Sequence, residues 1–426
     1  MNVLVTGANG FIGDHIVSLL IKQGHKVIAC VRNIENYKRH HHSIEVIMCD
    51  FIQDTSIGDW LPRLTGIDVV INAAGIINET PNQTFDALHN KTPIALFKAC
   101  QHAGIKRIIQ ISALGADETA VSQFHLSKKA ADDYLMLLDL DWIIVMPSIV
   151  YGSGAKSMSF FTSLAALPIT PIIDTGNQKI QPIHINDFSI AVSQLILPST
   201  PARTKISFVG PTPITMREVF TILKRWLGIR KARFIKVPFN LALNAVWLNK
   251  LMPDNVITKE SIQMLNTGNT ADPNPFIRSF GFKPRSLADS LDDTPAQQSD
   301  KWHAKLLLLR PLLIMSIAFI WIYTGIISAF IYPIESSYTL LARIGITDLF
   351  APIALYGAAA LDFMLGIATF MRYRLKIIGI IQIAIIISYS LLITLFINEQ
   401  WIHPFGPISK NIPLIVAILI MIALED

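Results

Sequence analysis

Cysteine is scarce in this sequence, with three in 426 residues: Cys30, Cys49 and Cys100, all in apolar segments. This argues against a disulfide-stapled secreted protein, and we expect the thiols to be core residues in a reducing compartment. Charge is also sparse, at 16% of residues, and the net charge of +5 is too mild to indicate a nucleic-acid partner. The first 25 residues lack a basic n-region and a cleavage site, so we expect no signal peptide.

Apolar residues are abundant, at 51% with a mean hydropathy of +0.45, and long apolar runs are confined to the region after Lys305. The chain is long enough for two or three domains, and this shift in composition marks a boundary. A membrane-spanning helix needs about 20 mostly apolar residues, which three of the four runs satisfy. The fourth contains Lys410 and Pro413, so it could be tilted, interfacial or a short span. The runs are residues 311–331, 351–370, 377–396 and 408–424.

Lysine and arginine are distributed unevenly around these runs. Three precede the first run and three fill the turn between the second and third, whereas the other loops contain only Arg343 and Lys410. The positive-inside rule therefore predicts that both termini and the N-terminal part of the chain are cytoplasmic. The six cations are Lys301, Lys305, Arg310, Arg372, Arg374 and Lys376.

A basic segment and a histidine run each admit two interpretations. The basic segment could face anionic lipid headgroups or be an ordinary solvated face. The run RHHHS at 39–43 invites a metal site, but consecutive histidines do not converge on one ion, so we expect a surface loop and no metal. The basic residues are Lys224, Arg225, Arg230, Lys231, Arg233 and Lys236.

The opening stretch, MNVLVTGANGFIGDHIVSLLIKQGHKVIACVRN, predicts a strand, a glycine turn, a helix that stops at Gly24 and a second strand. Its glycines have the spacing G-x-x-G-x-x-G, which permits a tight turn, close approach of a pyrophosphate and close helix packing. The helix N-terminus then offers free N–H groups to the phosphates. We expect this turn to bind a dinucleotide through Gly7, Asn9, Gly10, Phe11, Ile12 and Gly13.

The end of the second predicted strand discriminates between cofactors. An acidic residue there would hold the ribose 2′-hydroxyl of NAD(H), whereas an arginine would accept the 2′-phosphate of NADP(H). The sequence has Arg32, with Lys38 and Arg39 nearby and no carboxylate until Glu35. NADP(H) is therefore favoured over NAD(H).

Further apolar strands recur at 45–49, 68–72, 107–112 and 142–146, with helical stretches between them. This rhythm predicts a doubly wound α/β fold with a parallel sheet. Ligands of such sheets bind at the carboxyl ends of the strands. The residues at those ends are Asp50, Phe51, Asn72, Ala73, Ala74, Gly75, Ser112, Pro147, Ser148 and Ile149.

The motifs TGANGFIG, NAAG, ISALGA, FHLSKKAADD, PSIVYGSG and PIHINDFSIAV occur in the order typical of extended or atypical short-chain dehydrogenases/reductases. Residues 1–292 resemble the branch related to the NADPH-binding accessory subunit of respiratory complex I, with substrate-side elements mainly at 151–292. The resemblance implies that Asp50 and Phe51 flank adenine, that residues 72–75 line the middle of the cofactor and that Asn90 supports the site. Residues 293–305 are expected to be a linker.

In the active site of that superfamily a Tyr gives or takes the substrate proton, a Lys four residues later lowers the pKa of the Tyr and binds the nicotinamide ribose, and an upstream Ser orients the carbonyl. The resemblance places Ser112 and Lys128 in two of these roles, but Phe124 stands where the proton-donating Tyr is expected. A second register pairs His125 with Lys129, also at i and i+4, and a histidine can act as a general acid. We favour the register of Phe124 and Lys128 and keep His125 as a candidate acid.

Residues 306–426 resemble the DoxX-like family in the segments FIWIYTGIISAFIYP and YGAAALDFMLGIATF and in a four-span layout. Some members of that family take part in quinone-linked redox chemistry. Asp362 lies near the middle of the second span, where a carboxylate costs on the order of 2.5–3.5 kcal/mol. It could handle protons or a quinone, or make a structural hydrogen bond to a neighbour such as Gln382.

Together these patterns predict a Rossmann domain followed by a four-helix membrane domain, in a multi-pass protein of a bacterial-type inner membrane. The leading hypothesis is an NADP(H)-dependent oxidoreductase for a lipidic, isoprenoid or quinone-like substrate. The alternative is a non-catalytic NADPH-binding assembly or stability factor for a membrane complex. The expected partners are the lipid bilayer, a small hydrophobic substrate or quinone, and a membrane protein.

Overall fold

A computed structural model describes residues 1–38, 44–244, 246, 258–404 and 406–425. The chain divides into two compact units, Met1–Lys305 and Leu306–Asp426. The histidine run at 39–43, including Arg39, lies outside the described residues.

The first half of the N-terminal unit alternates strands with helices, as the sequence predicts. Within the described residues its elements are β1 Asn2–Thr6, α1 Phe11–Lys22, β2 Lys26–Val31, α2 Ile34–Lys38, β3 Glu45–Met48, α3 Ile57–Trp60, β4 Val69–Asn72, a π-helical turn Asp86–Lys91, α4 Thr92–His102, β5 Arg107–Ile111, α5 Gln123–Met136 and β6 Asp141–Pro147.

The second half of this unit mixes short strands and helices around the same sheet. Its described elements are β7 Val150–Tyr151, α6 Lys156–Ala166, β8 Thr170–Ile173, β9 Lys179–Ile180, β10 Ile183–His184, α7 Ile185–Leu195, β11 Thr204–Phe208, β12 Ile214–Thr215, α8 Met216–Trp226, β13 Phe234–Val237, α9 Phe239–Asn244, α10 Lys259–Thr267, α11 Asn274–Phe280 and α12 Leu287–Asp292.

The main sheet of the described residues has seven parallel strands in the order β11-β6-β5-β4-β1-β2-β3. Alternate side chains of each strand enter two different cores. Val3 and Val5 of β1 pack with α1 and α7, while Leu4 packs with α4 and α5. Because both faces are covered, the strands are mostly apolar, which is why the sequence shows continuous rather than alternating apolar runs. The predicted doubly wound Rossmann fold is confirmed.

The strand order reverses beside β1, with β2 on one side and β4 on the other. In open parallel sheets a crevice forms outside the carboxyl ends of the strands at this point, and ligands bind there. The loops after Thr6, Val31, Asn72 and Ile111 therefore surround the expected cofactor cleft.

The C-terminal unit is helical. In the described residues, α13 Gln298–Ile326 continues through a π-helical turn Ile327–Ile331, and is followed by α14 Ile334–Arg343, α15 Phe350–Phe370, α16 Leu375–Phe396 and α17 Asn411–Ala423. Three of these stretches are long and apolar enough to cross a membrane: Gln298–Ile331, Phe350–Phe370 and Leu375–Phe396. The helix of the fourth apolar run, α17, has 13 residues.

Two details of this region differ from the sequence-based expectations. The first long helix begins at Gln298, inside the segment expected to be a linker, because its polar first turns are helix-compatible and only its later part is apolar. The short helix α14 occupies a loop for which no helix was expected.

Candidate active site

The glycine turn after β1 has the geometry of a phosphate cradle. Gly7 has φ of +63°, which disfavours any residue with a side chain. A Cβ at Gly13 would lie 2.1 Å from the Gly7 carbonyl oxygen, so α1 can approach the turn only with glycine here. Helix α1 begins immediately after Gly10, and its first N–H groups point toward the turn. These residues fit a dinucleotide pyrophosphate.

Arg32 is exposed at the end of β2. Its guanidinium lies against the side-chain amide of Gln83, whose oxygen accepts from both terminal nitrogens of the arginine in the amide orientation that satisfies both groups. Gln83 comes from the loop after β4, so this contact crosses the open end of the sheet. Arg32 thus lies directly after β2, at the position from which the sequence analysis predicted the choice of cofactor.

Three residues expected to contact the cofactor have side chains engaged elsewhere. The Phe51 ring is buried against Trp60, and the Phe51 carbonyl accepts from Thr92 at 2.6 Å. Asp50 accepts the Ile52 N–H at 3.0 Å, which closes its own turn. Asn90 donates to Asp86 at 3.1 Å on the π-helical turn. The side chains of Phe51 and Asn90 are therefore held by Trp60 and Asp86.

Asn72 takes part in a fully buried polar row across three strands. Thr6 donates to the Asn72 side-chain oxygen, and the Asn72 amide donates to Gln110 at 2.7 Å. The strand register aligns these three residues side by side. The Asn72 side chain is thus satisfied within the sheet, and Ala73, Ala74 and Gly75 follow it at the carboxyl end of β4.

Lys128 is the central polar group of the site. Its side chain is 5% exposed, and its ammonium donates to the carbonyl of Ile111 at 3.0 Å, at the end of β5. A Cβ on Gly75 would lie 3.0 Å from the Lys128 Nζ, so the same ammonium also reaches the end of β4. Burial lowers the pKa of Lys128 to about 8, against the opposing effect of Asp132.

Ser112 and Asp132 form a buried pair beside this lysine. The Ser112 hydroxyl donates to the Asp132 carboxylate, and both side chains are buried. Burial raises the pKa of Asp132 to about 6, although the Ser112 hydrogen bond and the charge of Lys128 oppose this. Ser112 was expected to orient a substrate, and in the structure its hydroxyl instead holds Asp132.

Phe124 lies on the same face of α5 as Lys128, one turn earlier. Its ring is 8% exposed and meets Phe85, His89 and His125 in edge-to-face contacts with centroid distances of 6.1, 5.5 and 5.3 Å. The position of the expected tyrosine is thus filled by a ring in an aromatic cluster and offers no proton.

His89 is a residue that the sequence analysis missed. Its Nε2 accepts the Ile76 N–H at 3.0 Å, and its Nδ1 bonds the Ser127 hydroxyl at 2.9 Å. Burial and the charge of Lys128 lower its pKa to about 2, so the ring is neutral. His89 ties the loop after β4 to α5. The only signal for His89 in the sequence is its position next to Asn90, because its contact with Ser127 joins residues that are 38 apart in the chain.

The two candidate registers of α5 differ in their surroundings. Lys129 is paired with Asp133 at 2.5 Å and with Glu118 at 2.9 Å, away from the strand ends. His125 is buried, and its Nδ1 shares a hydrogen bond of 3.0 Å with Ser122, the N-cap of α5. The geometry favours the pairing of Phe124 with Lys128 over that of His125 with Lys129.

The end of β6 and the loop after it are held by three contacts. The Pro147 carbonyl accepts the Leu114 N–H at 2.9 Å, the Ser148 hydroxyl donates to the Gln181 carbonyl, and Ile149 packs in the core around Tyr151. These contacts join the strand end to the elements of the second half.

In the C-terminal unit, Asp362 is 6% exposed. The amide of Gln382 donates to Thr369 at 2.9 Å rather than to Asp362. Among the described residues, Asp362 Oδ1 has no hydrogen-bond partner. The described parts of both units contain no cluster of three or more His, Cys, Asp or Glu placed to hold a metal ion.

The fold and the glycine cradle define a class of protein, and the family models agree. A model described as NAD(P)H-binding matches residues 7–160, and one described as DoxX-like family matches residues 318–419. The N-terminal unit is therefore an NAD(P)-binding domain of the epimerase and short-chain dehydrogenase fold, and it is joined to a C-terminal DoxX-like membrane domain with apolar helices. The predicted resemblance is confirmed.

Similar proteins give this class its context. Subunit 9 of the mitochondrial NADH dehydrogenase [ubiquinone] 1 alpha subcomplex of Arabidopsis thaliana is 27% identical over 250 residues, or 56% of this chain and 60% of the relative. Ceramide reductase of Caulobacter vibrioides is 27% identical over 239 residues, or 55% of this chain and 73% of the relative.

A solved structure shows the same fold. UDP-glucuronic acid 4-epimerase from Bacillus cereus superposes with a TM-score of 0.54 at 18% identity, over 72% of this chain and 100% of that chain.

Proposed function

We propose that this protein is a membrane-anchored, NADP(H)-dependent oxidoreductase that reduces the carbonyl group of a lipidic, isoprenoid or quinone-like substrate. The observation that carries the proposal is the buried Lys128 ammonium, held between the ends of β4 and β5 beside the cofactor cleft. Burying a cation costs free energy, and ionisable groups with perturbed pKa values concentrate at functional sites. A similarity to ceramide reductase supports a hydrophobic substrate.

Each residue of the site has a defined part in this proposal. Gly7, Gly10 and Gly13 hold the pyrophosphate, and Arg32 favours NADP(H) because its guanidinium binds the 2′-phosphate of that cofactor. When bound, the cofactor supplies a hydride to the carbonyl carbon. The carbonyl oxygen then needs a proton, and Lys128 is the donor that the geometry offers, because its pKa of about 8 leaves it protonated at neutral pH. Asp132, held by Ser112, provides the balancing charge.

Phe124 makes this a slow enzyme for ordinary carbonyls. A positioned general acid contributes about 10²- to 10⁴-fold in rate, and the phenol that would supply it is missing. The substrate should therefore be one that is easily reduced or that is bound tightly. We also propose a bacterial-type inner membrane with both termini in the cytoplasm, where NADPH is available.

The test is NADPH oxidation by the full chain in nanodiscs, with quinones, isoprenoid ketones and ceramide-type carbonyls as substrates. We expect measurable turnover that Lys128→Met abolishes and that Phe124→Tyr raises at least tenfold, because a phenol would then stand one helical turn from Lys128. Phe85→Tyr is the matched control, since it adds a phenol to the same cluster from another element. NADPH binding without turnover in the wild type and in Phe124→Tyr would refute the proposal.

The choice of cofactor has its own test. Arg32→Asp should weaken the binding of NADPH much more than that of NADH, because it removes the cation and adds an anion beside the 2′-phosphate. Arg278→Asp, at an exposed arginine on α11, controls for the change of net charge. An unchanged ratio of the two affinities would remove the assignment to NADP(H).

A second candidate is a non-catalytic NADPH-binding assembly factor for a respiratory complex. The closed aromatic cluster around Phe124 favours it, as does the similarity to a complex I subunit. In that case, loss of the protein should reduce the amount of assembled complex on native gels. The Lys128→Met variant should restore the complex only to the extent that the variant still binds NADPH. Restoration by a variant that binds no NADPH would count against the role of the cofactor.

A further inference from the structure

The basic segment of the N-terminal unit is not uniform in the structure. Lys224 is buried on α8, and its ammonium donates to the carbonyls of Ala165 and Leu167 at 2.9 and 2.8 Å. Arg225 pairs with Asp292 at 3.4 Å. These two cations are structural, so neither interpretation of the basic segment applies to all six of its residues.

The other four cations have no such partners. Arg230, Lys231, Arg233 and Lys236 are all exposed, and no ion pair joins them to a carboxylate in the part of the chain that the structure describes. The sequence from residue 219 to 253 contains no aspartate or glutamate. The carboxylate at the end of β8, Asp174, accepts the Phe239 N–H at 3.0 Å and belongs to the backbone turn there.

Three large apolar side chains are also exposed on or next to β8, β13 and α9. Ile235 is 55% exposed on β13, and Leu241 is 58% exposed on α9, a helix with no buried residue. Strand β13 pairs with β8, and the Arg233 carbonyl accepts the Thr170 N–H at 2.9 Å, which places Ile169, 49% exposed, beside Arg233. We call Arg230, Lys231, Arg233, Lys236, Ile169, Ile235 and Leu241 the basic patch.

We propose that the basic patch docks the N-terminal unit onto anionic lipid headgroups. Unpaired lysines and arginines mixed with protruding isoleucine and leucine match a bilayer surface, where the cations meet phosphates and the apolar side chains enter the acyl boundary. A nucleic acid would also attract the cations but would leave the aliphatic side chains in water.

The chain itself supplies the reason for lipid as the occupant. It contains three helices able to cross a membrane, so a bilayer is always tethered to the N-terminal unit at high effective concentration. Weak headgroup contacts then suffice to orient the unit. The inference concerns the surface of this unit and stands whether or not the proposed reductase activity is found.

The test uses the full chain in nanodiscs of phosphatidylcholine, alone or mixed with phosphatidylglycerol. The described native cysteines Cys30, Cys49 and Cys100 are buried, so Ile235→Cys can be labelled selectively with an environment-sensitive fluorophore. We expect blue-shifted emission, with quenching by spin-labelled lipid, only when phosphatidylglycerol is present, and we expect both effects to fade at high salt.

Charge reversal provides the matched comparison. Lys231→Glu, Arg233→Glu and Lys236→Glu together should lower the docked fraction by roughly tenfold or more. The same reversal at Lys22, Arg278 and Lys283, three exposed cations elsewhere on the unit, should leave it unchanged. Equal emission in both lipid mixtures, or equal losses in the two triple variants, would overturn the proposal. If the triple variant of the basic patch fails to fold, the lipid and salt dependence of the emission from the Ile235→Cys protein tests the proposal by itself.

Discussion

The burial of Lys128 leads to a stability prediction that is independent of any substrate. Its pKa falls from 10.5 to about 8 on folding, because the charged form loses its water. A group with a lowered folded pKa contributes stability above its unfolded pKa and loses it as the pH falls through the folded value. Below pH 8 the buried charge therefore costs the fold about 3 kcal/mol, at 1.36 kcal/mol for each pKa unit.

Lys128→Met removes this titration while it keeps most of the side-chain volume. The stability of the variant relative to the wild type should therefore fall by about 3 kcal/mol between pH 7 and pH 10.5, whatever constant effect the lost hydrogen bond to Ile111 has. For a unit of this size, that is a change of roughly 6 °C in the difference between the two melting temperatures. Intrinsic tryptophan fluorescence during a thermal ramp measures it at each pH.

Lys129→Met is the control, because Lys129 is the neighbouring lysine and forms ion pairs at the surface. It should show no comparable pH-dependent difference over this range. A Lys128→Met difference that stays constant from pH 7 to pH 10.5 would show that the ammonium is solvated, and the argument for a buried functional lysine would then fail.

Three other changes test separate parts of the structure. Gly13→Ala should abolish dinucleotide binding and destabilise the unit by about 3 kcal/mol or more, because the added Cβ would overlap the Gly7 carbonyl. Gly58→Ala is the control, since its added Cβ would meet only a side-chain atom at 3.7 Å. It should be nearly neutral both in fluorescence titration with the dinucleotide and in melting. Arg107→Met should cost about 3 kcal/mol in the free energy of unfolding, since the buried guanidinium binds three carbonyls between α7 and β11; an unchanged melting temperature would contradict this. Asp362→Leu should raise the melting temperature of the membrane domain, because the carboxyl has an unpartnered buried oxygen in the described residues; a lowered temperature would reveal a partner.

The fold was predictable because its periodicities are local. Strands at 2–5, 26–31, 45–49, 68–72, 107–112 and 142–146 were expected, and each is present within a residue or two. The strands of a parallel sheet that is covered on both faces are apolar runs, and the helices separate these runs in the sequence. The start of the first long helix at Gln298 was not predicted, since a helix that passes from polar to apolar residues keeps no single periodic pattern.

Side-chain partners were harder to predict than elements. Phe51 and Asn90 lie where expected along the chain, but their side chains turn to Trp60 and Asp86. His89 joins the site through Ser127, and this contact depends on how α5 packs against the loop after β4. A sequence position fixes which end of a strand a residue occupies, whereas the direction of its side chain depends on neighbours that are distant in the chain.

The sequence by itself determined that this chain has a dinucleotide cradle, an apolar C-terminal region and a phenylalanine in place of the expected acid, because spacing and composition are local properties. Only the tertiary structure decided that Lys128 rather than Lys129 reaches the strand ends, that Ser112 is committed to Asp132 and that four of the six basic residues form no ion pair with any described residue. Those outcomes depend on burial and on contacts across the sheet, which arise when distant segments pack together.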